Sequence, residues 1–245
     1  MAERVHPLGP LVPDPTPASR PSRVTLHGRT VTLEPLKESH ADEIYVLIDG
    51  SEKTWLRDYV GDEPFTRVEQ FRASVAAKAR SEDPLFWAVI VPEKNGGDDK
   101  NNDARGKGRV VGFVSLLRIS PEQNTIEIGN LLFSLALNHT TAITETIYLL
   151  GRHIFRDLGY RRLGWKCNSV NEPSRRAALR LGFSYEGLFS QHMIVKGRNR
   201  DTAWYAMLDS EWEGIQAAIE KWLDPSNFDQ DGRQRKRLEE FRAQQ

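Results

Sequence analysis

A chain of 245 residues with 39% apolar content is long enough for one sizeable core, with chain left over for tails. Its 34 basic and 34 acidic residues cancel, which removes any global electrostatic case for nucleic-acid binding, and no stretch approaches the ~18 uninterrupted apolar residues of a membrane-spanning helix. The single cysteine, Cys167, excludes an internal disulfide framework and suits a reducing, cytoplasmic compartment.

Residues 1–23 are rich in proline and lack an apolar run, so they read as a disordered tail rather than a secretory leader; a single domain is expected over 24–223. "RVTLHGRTVTLEPL" alternates apolar and polar residues around Gly28, a first strand or tight hairpin. A helix capped by Ser39 follows, with Ile44, Leu47 and Ile48 on one face. Thr66 and Glu69 stand at capping-box spacing before a second helix carrying Val68, Phe71 and Val75. The loop between the two helices holds aromatics and the acids Asp58, Asp62 and Glu63, suited to attract an ammonium group. Two strands, "LFWAVIV" and "VVGFVSLLRIS", flank a polar insert at 95–108 that reads as a mobile loop. Its "GKGRVVG" matches neither nucleotide-loop fingerprint, and no helix follows it.

"TIEIGNLLFS" is the next strand. It leads through "LALNHT" into a helix whose Ile143, Ile147, Leu150, Ile154 and Leu158 form one apolar stripe. Gly159 ends that helix, "RRLGWKCNSV" forms another strand, and "NEPSRRAALRLG" forms a short helix stopped by Gly182. Two long strands, a basic turn and an amphipathic helix, "SEWEGIQAAIEKWL", complete the domain; 224–245 reads as a charged, solvated tail. The strand pair with His192, Lys196, Arg198, Arg200 and Asp201 either shapes the site or carries a plain solvated basic turn, and the second reading is preferred. The plan is mixed α/β with antiparallel and parallel neighbours. A strand, crossover helix and strand make a parallel pair, and ligands gather beyond the carboxyl ends of such strands.

Charge is unevenly spread around those ends: 152–200 carries eleven basic and three acidic residues, whereas 30–90 carries seven and twelve. The first strand end delivers residues 139–144 to a helix N-terminus whose free N–H groups can hold pyrophosphate. At the second, Asn171 ends a strand, Pro173 falls in a first helical turn and Ser174 stands beside it, able to donate a proton; Asn171 as a plain N-cap and Ser174 as a first-turn filler is the competing reading. Cys167, within an apolar strand, reads as a core residue. None of the six histidines pairs with another at metal-ligand spacing, and there is no nucleophile elbow, so no metal is expected.

The runs "IEIGNLLFS", "TTAITETIYLL", "LGYRRLGWKCNSVNEPSRRAALRLGFSYEGLF" and "VKGRNRDTAWYAML" together resemble the GNAT superfamily of acyl-CoA N-acyltransferases, and within it the Rim-type branch that acetylates protein N-termini. The resemblance spans about 31–208, and 161–207 is its most specific part. It implies a GNAT fold: a central, mostly antiparallel mixed sheet with one splayed parallel strand pair, flanked by helices. Acetyl-CoA would lie in the gap between the splayed strands and give its acyl group directly to an amine. The resemblance places the pantetheine arm against the backbone of Leu132, Phe133 and Ser134, and the pyrophosphate on Asn138, His139, Thr140, Thr141, Ala142, Ile143 and Thr144. There Asn138 replaces a longer polar residue, Thr141 a glycine, and Ile143 a glycine or alanine, which narrows the approach of phosphate. Asn171 would contact pantetheine. Ser174 would protonate the departing thiolate, with Tyr185 as the fallback donor, and Glu127 would act as base; an acid paired with a neighbouring arginine is the alternative for Glu127.

The implied acceptor is an N-terminal amine of a protein or peptide. A small amine such as a drug, polyamine or metabolite, and a GNAT-shaped module without turnover, remain open. So does the choice between monomer and homodimer. No nucleic acid or membrane partner is expected.

Overall fold

The computed structural model describes residues 8–48, 67–92, 108–137 and 140–243, together with Lys53, Asp58, Tyr59 and Phe65. The insert expected at 95–108 lies outside these residues except for Gly108, as do Thr66, Asp62 and Glu63.

Eight strands form one sheet: β1 (Leu26–His27), β2 (Thr32–Pro35), β3 (Leu85–Pro92), β4 (Gly108–Ser120), β5 (Thr125–Phe133), β6 (Arg162–Asn168), β7 (Ser184–Val195) and β8 (Arg198–Leu208). Their order is β1-β2-β3-β4-β5-β6-β8-β7. Only β5 and β6 are parallel; every other neighbouring pair is antiparallel. The expected mixed, mostly antiparallel sheet is therefore present.

Alternation along the strands divides the core into two layers. Phe86, Ala88, Val110, Phe113 and Leu132 pack with α1 (Ala41–Ile48) and α2 (Val68–Arg80) on one face. Trp87, Val89, Val114, Ile126, Ile128 and Trp165 belong to the larger cluster, which takes in α3 (Ala142–Arg152), α4 (Glu172–Leu181) and α5 (Asp209–Leu223) on the other. The first helix does not start at a Ser39 cap, because a 3-10 turn over Glu38–His40 runs directly into α1. The stripe on α3 is buried as its spacing requires: Ile147, Leu150 and Ile154 are in the core, and the helix continues through a π turn, His153–Asp157. Gly182, at φ 105°, closes α4 in the left-handed conformation that glycine adopts without steric penalty.

Described segments near both ends are held by more contacts than their composition suggests. Ala18 N–H donates to Asn124 Oδ1 at 2.6 Å and Ser19 N–H to the Leu158 carbonyl at 2.8 Å, so the last part of the proline-rich tail is pinned beneath the sheet rather than disordered. The region read as a charged, solvated tail from 224 also packs. Asn227 donates to the Trp222 carbonyl, Leu238 of α6 (Leu238–Arg242) is fully buried, and Arg242 donates to the carbonyls of Leu179 and Arg180. One buried leucine and a few side chains bonded to backbone hold this segment against α4 and α5 despite its charge.

Candidate active site

The site begins where the parallel strands part. Thr125 to Ile128 pair in register with Arg162 to Trp165, and there the pairing stops, although β5 continues to Phe133 and β6 to Asn168. Each strand stays with its other neighbour: Phe133 is opposite Gly112 of β4, and Asn168 is opposite Thr202 of β8. The separation has a local cause. Between the pairs Ser115–Gly129 and Phe113–Leu132, β5 contains one more residue than β4, a bulge that bends the strand. Asn130 sits in this bulge at φ 50°, a conformation asparagine tolerates, and its Nδ2 donates to Ser115 Oγ at 2.9 Å.

A cavity of about 440 Å³ occupies the fork. Its walls include Tyr59, Glu127, Lys166, Asn171, Ser174 and Arg200, together with Cys167. Asn171 is both the expected N-cap and a wall residue: its Oδ1 accepts the Ser174 N–H at 3.2 Å, which leaves its amide NH₂ available as a donor. Ser174 Oγ accepts from Trp165 Nε1 at 3.1 Å, so its own hydroxyl proton can go to another acceptor. Cys167 is buried, and burial pushes its thiol above the usual range, with a Ser174 hydrogen bond opposing; this fits a core residue, not a nucleophile.

Glu127 faces the cavity and is also ion-paired. Arg118 lies 2.7 Å from its Oε2 and Lys166 Nζ lies against its Oε1. The arginine-paired reading of this residue is present, with Lys166 as a second cation. Lys166 also lies 3.3 Å from the centre of the Trp204 ring, and burial holds its ammonium below the usual lysine range although Glu127 pulls the other way.

Tyr185 is not brought to the fork. It lies half-exposed on the edge strand β7, against Tyr205, and is not among the residues that line the cavity. Ser134 N–H is committed to the Val111 carbonyl at 2.9 Å, and strand alternation turns Leu132 toward β4 as well, leaving Phe133 as the residue of the three whose backbone faces the gap. Of the segment read as a solvated basic turn, His192 and Arg200 line the cavity.

A second cavity, of about 910 Å³, lies at the start of α3. Thr140, Thr141, Ile143 and Thr144 line it, whereas Ala142 is turned into the core; Asn138 and His139 lie outside the described residues. The first intrahelical bond runs from Glu145 N–H to the Thr141 carbonyl, so the N–H groups of Ala142, Ile143 and Thr144 have no acceptor within the helix. Three arginines from distant parts of the chain join them: Arg29, Arg180 and Arg233. Arg180 stacks over Trp222 and donates to Thr144 Oγ1 at 2.9 Å. Arg29 is placed by the β1–β2 turn, which the buried Glu145 carboxylate clamps by accepting the N–H groups of Arg29 and Thr30 at 2.6 and 2.7 Å. Oriented N–H groups, a helix N-terminus and three guanidiniums are a donor set for phosphate oxygens.

Sequence reasoning missed Arg118, Lys166, Arg29, Arg180 and Arg233. Lys166 alone carried a local signal, a lysine within the apolar strand "RLGWKCN" that mirrors Glu127 in "TIEIG".

The chain matches the family described as "Acetyltransferase (GNAT) domain" over residues 30–184. Ribosomal-protein-serine acetyltransferase of Escherichia coli (strain K12) is 26% identical over 190 residues, covering 74% of this chain and 95% of that protein. Among solved structures, a GCN5-related N-acetyltransferase from Brucella melitensis is 40% identical and superposes with a TM-score of 0.85, covering 93% of this chain and 98% of the other. A probable GNAT-family acetyltransferase from Chromobacterium violaceum ATCC 12472 is 31% identical with a TM-score of 0.72, covering 86% and 100%. With its forked parallel strands and the match over residues 30–184, the chain belongs to the GNAT acetyltransferase family.

Proposed function

We propose that the chain transfers the acetyl group of acetyl-CoA directly to the N-terminal amine of a protein or peptide. The fork between β5 and β6 carries this reading, because it sets an unpaired strand edge, a serine hydroxyl and a carboxylate around one cavity. Likeness to the Escherichia coli ribosomal-protein-serine acetyltransferase supports the choice of acceptor.

Acetyl-CoA is the acetyl donor of this family, and the residues present fit it. The arginine-lined cavity suits its phosphates, and the free backbone of Phe133 suits the amide groups of its arm. What it supplies is a thioester carbonyl open to attack by a neutral amine.

Glu127 receives the ammonium proton directly or through water: each of its oxygens is engaged by one cation and keeps a second lone pair. Backbone N–H groups on the open edge of β5 polarise the carbonyl. Ser174, anchored by Trp165, gives its proton to the leaving sulfur and regains one from the nitrogen as the amide forms, and Asn171 fixes the turn that presents it. No covalent enzyme intermediate is required.

The test is calorimetric titration with acetyl-CoA followed by an acceptor panel of peptides and small amines. Saturable binding near micromolar Kd, about −8 kcal/mol, with acetylation of peptide N-termini is the expected result. No binding at millimolar acetyl-CoA would leave a GNAT-shaped module without turnover, and acetylation of small amines alone would reject the peptide acceptor.

A further inference from the structure

The acceptor face of the fork has a charge that the reaction does not use. Alternation along β8 puts Arg200, Thr202 and Trp204 on one side of the sheet, and Trp204 lies under Lys166, the partner of Glu127. Three cations, Arg118, Lys166 and Arg200, therefore share this cavity with one carboxylate, and Glu127 is already held by the first two.

Among the described residues Arg200 has no counter-charge. Its Nε is buried and makes no hydrogen bond, and among the described residues no carboxylate pairs with its guanidinium. Its electrostatic neighbours are Arg118, which repels it, and Cys167, whose thiol burial keeps protonated. Burial itself works against the guanidinium charge. A cation withdrawn from water without a partner is costly in the free protein, and a guanidinium has the planar donor fork that matches carboxylate and phosphate. Beside it, His192 Nδ1 and Thr202 Oγ1 are joined at 2.9 Å and add polar groups to the same wall.

We propose that Arg200 is a specificity-determining residue and that the acceptor amine is borne by a molecule carrying an anion, which Arg200 binds while the amine sits at Glu127. For a peptide this is an aspartate or glutamate close behind the N-terminal residue; for a small amine it is a carboxylate or phosphate on the same molecule. This rests on the reading of the fork as the transfer site.

The experiment measures kcat/KM for matched acceptors that differ only in the anion: Ser-Glu-Ala-Ala against Ser-Gln-Ala-Ala, and small amino acids against their amides. The wild type is expected to favour the acid member at least tenfold. In Arg200→Gln the ratio falls to near one, and Arg200→Lys restores part of it. Because Arg200 has no structural partner, Arg200→Gln is expected to melt no lower than the wild type; a lower Tm would show a structural role and overturn the assignment. An acid-to-amide ratio near one in the wild type, or one that Arg200→Gln leaves unchanged, would also overturn it. Should only small amines be acetylated, the peptide reading fails while the anion preference is still read from the acid–amide pairs. A wild type that binds acetyl-CoA but acetylates none of these acceptors overturns both.

Discussion

Lys166 stands one residue past the last paired position of β6 and reaches back across the fork to Glu127 on β5. Both side chains are largely shielded from water, at 10% and 14% exposure, so the pair spans the opening of the parallel strands from inside the site. Breaking a shielded pair by removing one partner costs more than removing both, because the survivor keeps its desolvation penalty. A Glu127→Gln and Lys166→Met double-mutant cycle is therefore expected to show a coupling of about 1–3 kcal/mol in denaturant unfolding.

The same pair makes a pH prediction. Burial holds the folded Lys166 pKa below its ordinary 10.5, so as pH rises toward that value the native state loses its proton before the unfolded chain does. Stability linked to this group rises with pH across that window and falls as pH drops through the folded pKa. The wild type should gain stability relative to Lys166→Met as pH increases toward 10.5, measured as the difference in Tm. Glu127→Gln is expected to lower kcat by about 10²-fold in single-turnover assays; an unchanged kcat would remove Glu127 from proton transfer.

Ser174→Ala removes the proposed proton donor and the oxygen that Trp165 Nε1 bonds. A fall in kcat of about 10²-fold, with acetyl-CoA affinity nearly unchanged, is expected from single-turnover assays and titration. Because Tyr185 does not line the fork, Tyr185→Phe should leave kcat as it is.

In the arginine-lined cavity, Arg180 and Arg233 come from α4 and the C-terminal segment. Hydrogen bonds to charged groups contribute about 1.5–3 kcal/mol, so Arg180→Ala and Arg233→Ala should each weaken acetyl-CoA binding by roughly tenfold or more. Use of acetyl-pantetheine, which lacks the nucleotide, should hardly change, and comparing the two donors by KM separates phosphate contacts from misfolding.

Gly28 lies under the Glu145 clamp. A Cβ at this position would fall 2.8 Å from the Glu145 carboxylate and 2.9 Å from the Val31 carbonyl, and that carbonyl belongs to the turn itself. Gly28→Ala is expected to cost about 1–3 kcal/mol in chemical denaturation, the range for overpacking a well-filled site, and to weaken acetyl-CoA binding through displacement of Arg29.

Much of this architecture could be read from local pattern. The stripe from Ile143 to Leu158, the strand "TIEIGNLLFS", the Asn171–Pro173 helix start and the Gly182 stop each depend on residues within a few turns or pleats of one another, and each stands in the structure where its spacing put it. Those elements, and the likeness they carried, located the two ends where the fork and the phosphate donors lie. The pinned residues before β1 and the buried Leu238 escaped notice because a proline-rich or charged stretch shows its partners only once the rest of the chain is folded.

Register and packing decided the rest. Lys166 meets Glu127 because β5 and β6 pair for four residues and then part, and the parting follows from one extra residue at Asn130. Arg29, Arg180 and Arg233 converge on one helix start from positions scattered over the chain, each carried by a different packed element. The missing partner of Arg200 is likewise a property of its surroundings. Sequence alone determined the type of most elements, because backbone preference and apolar period act over short distances; which charges face each other is settled only when distant strands come into contact.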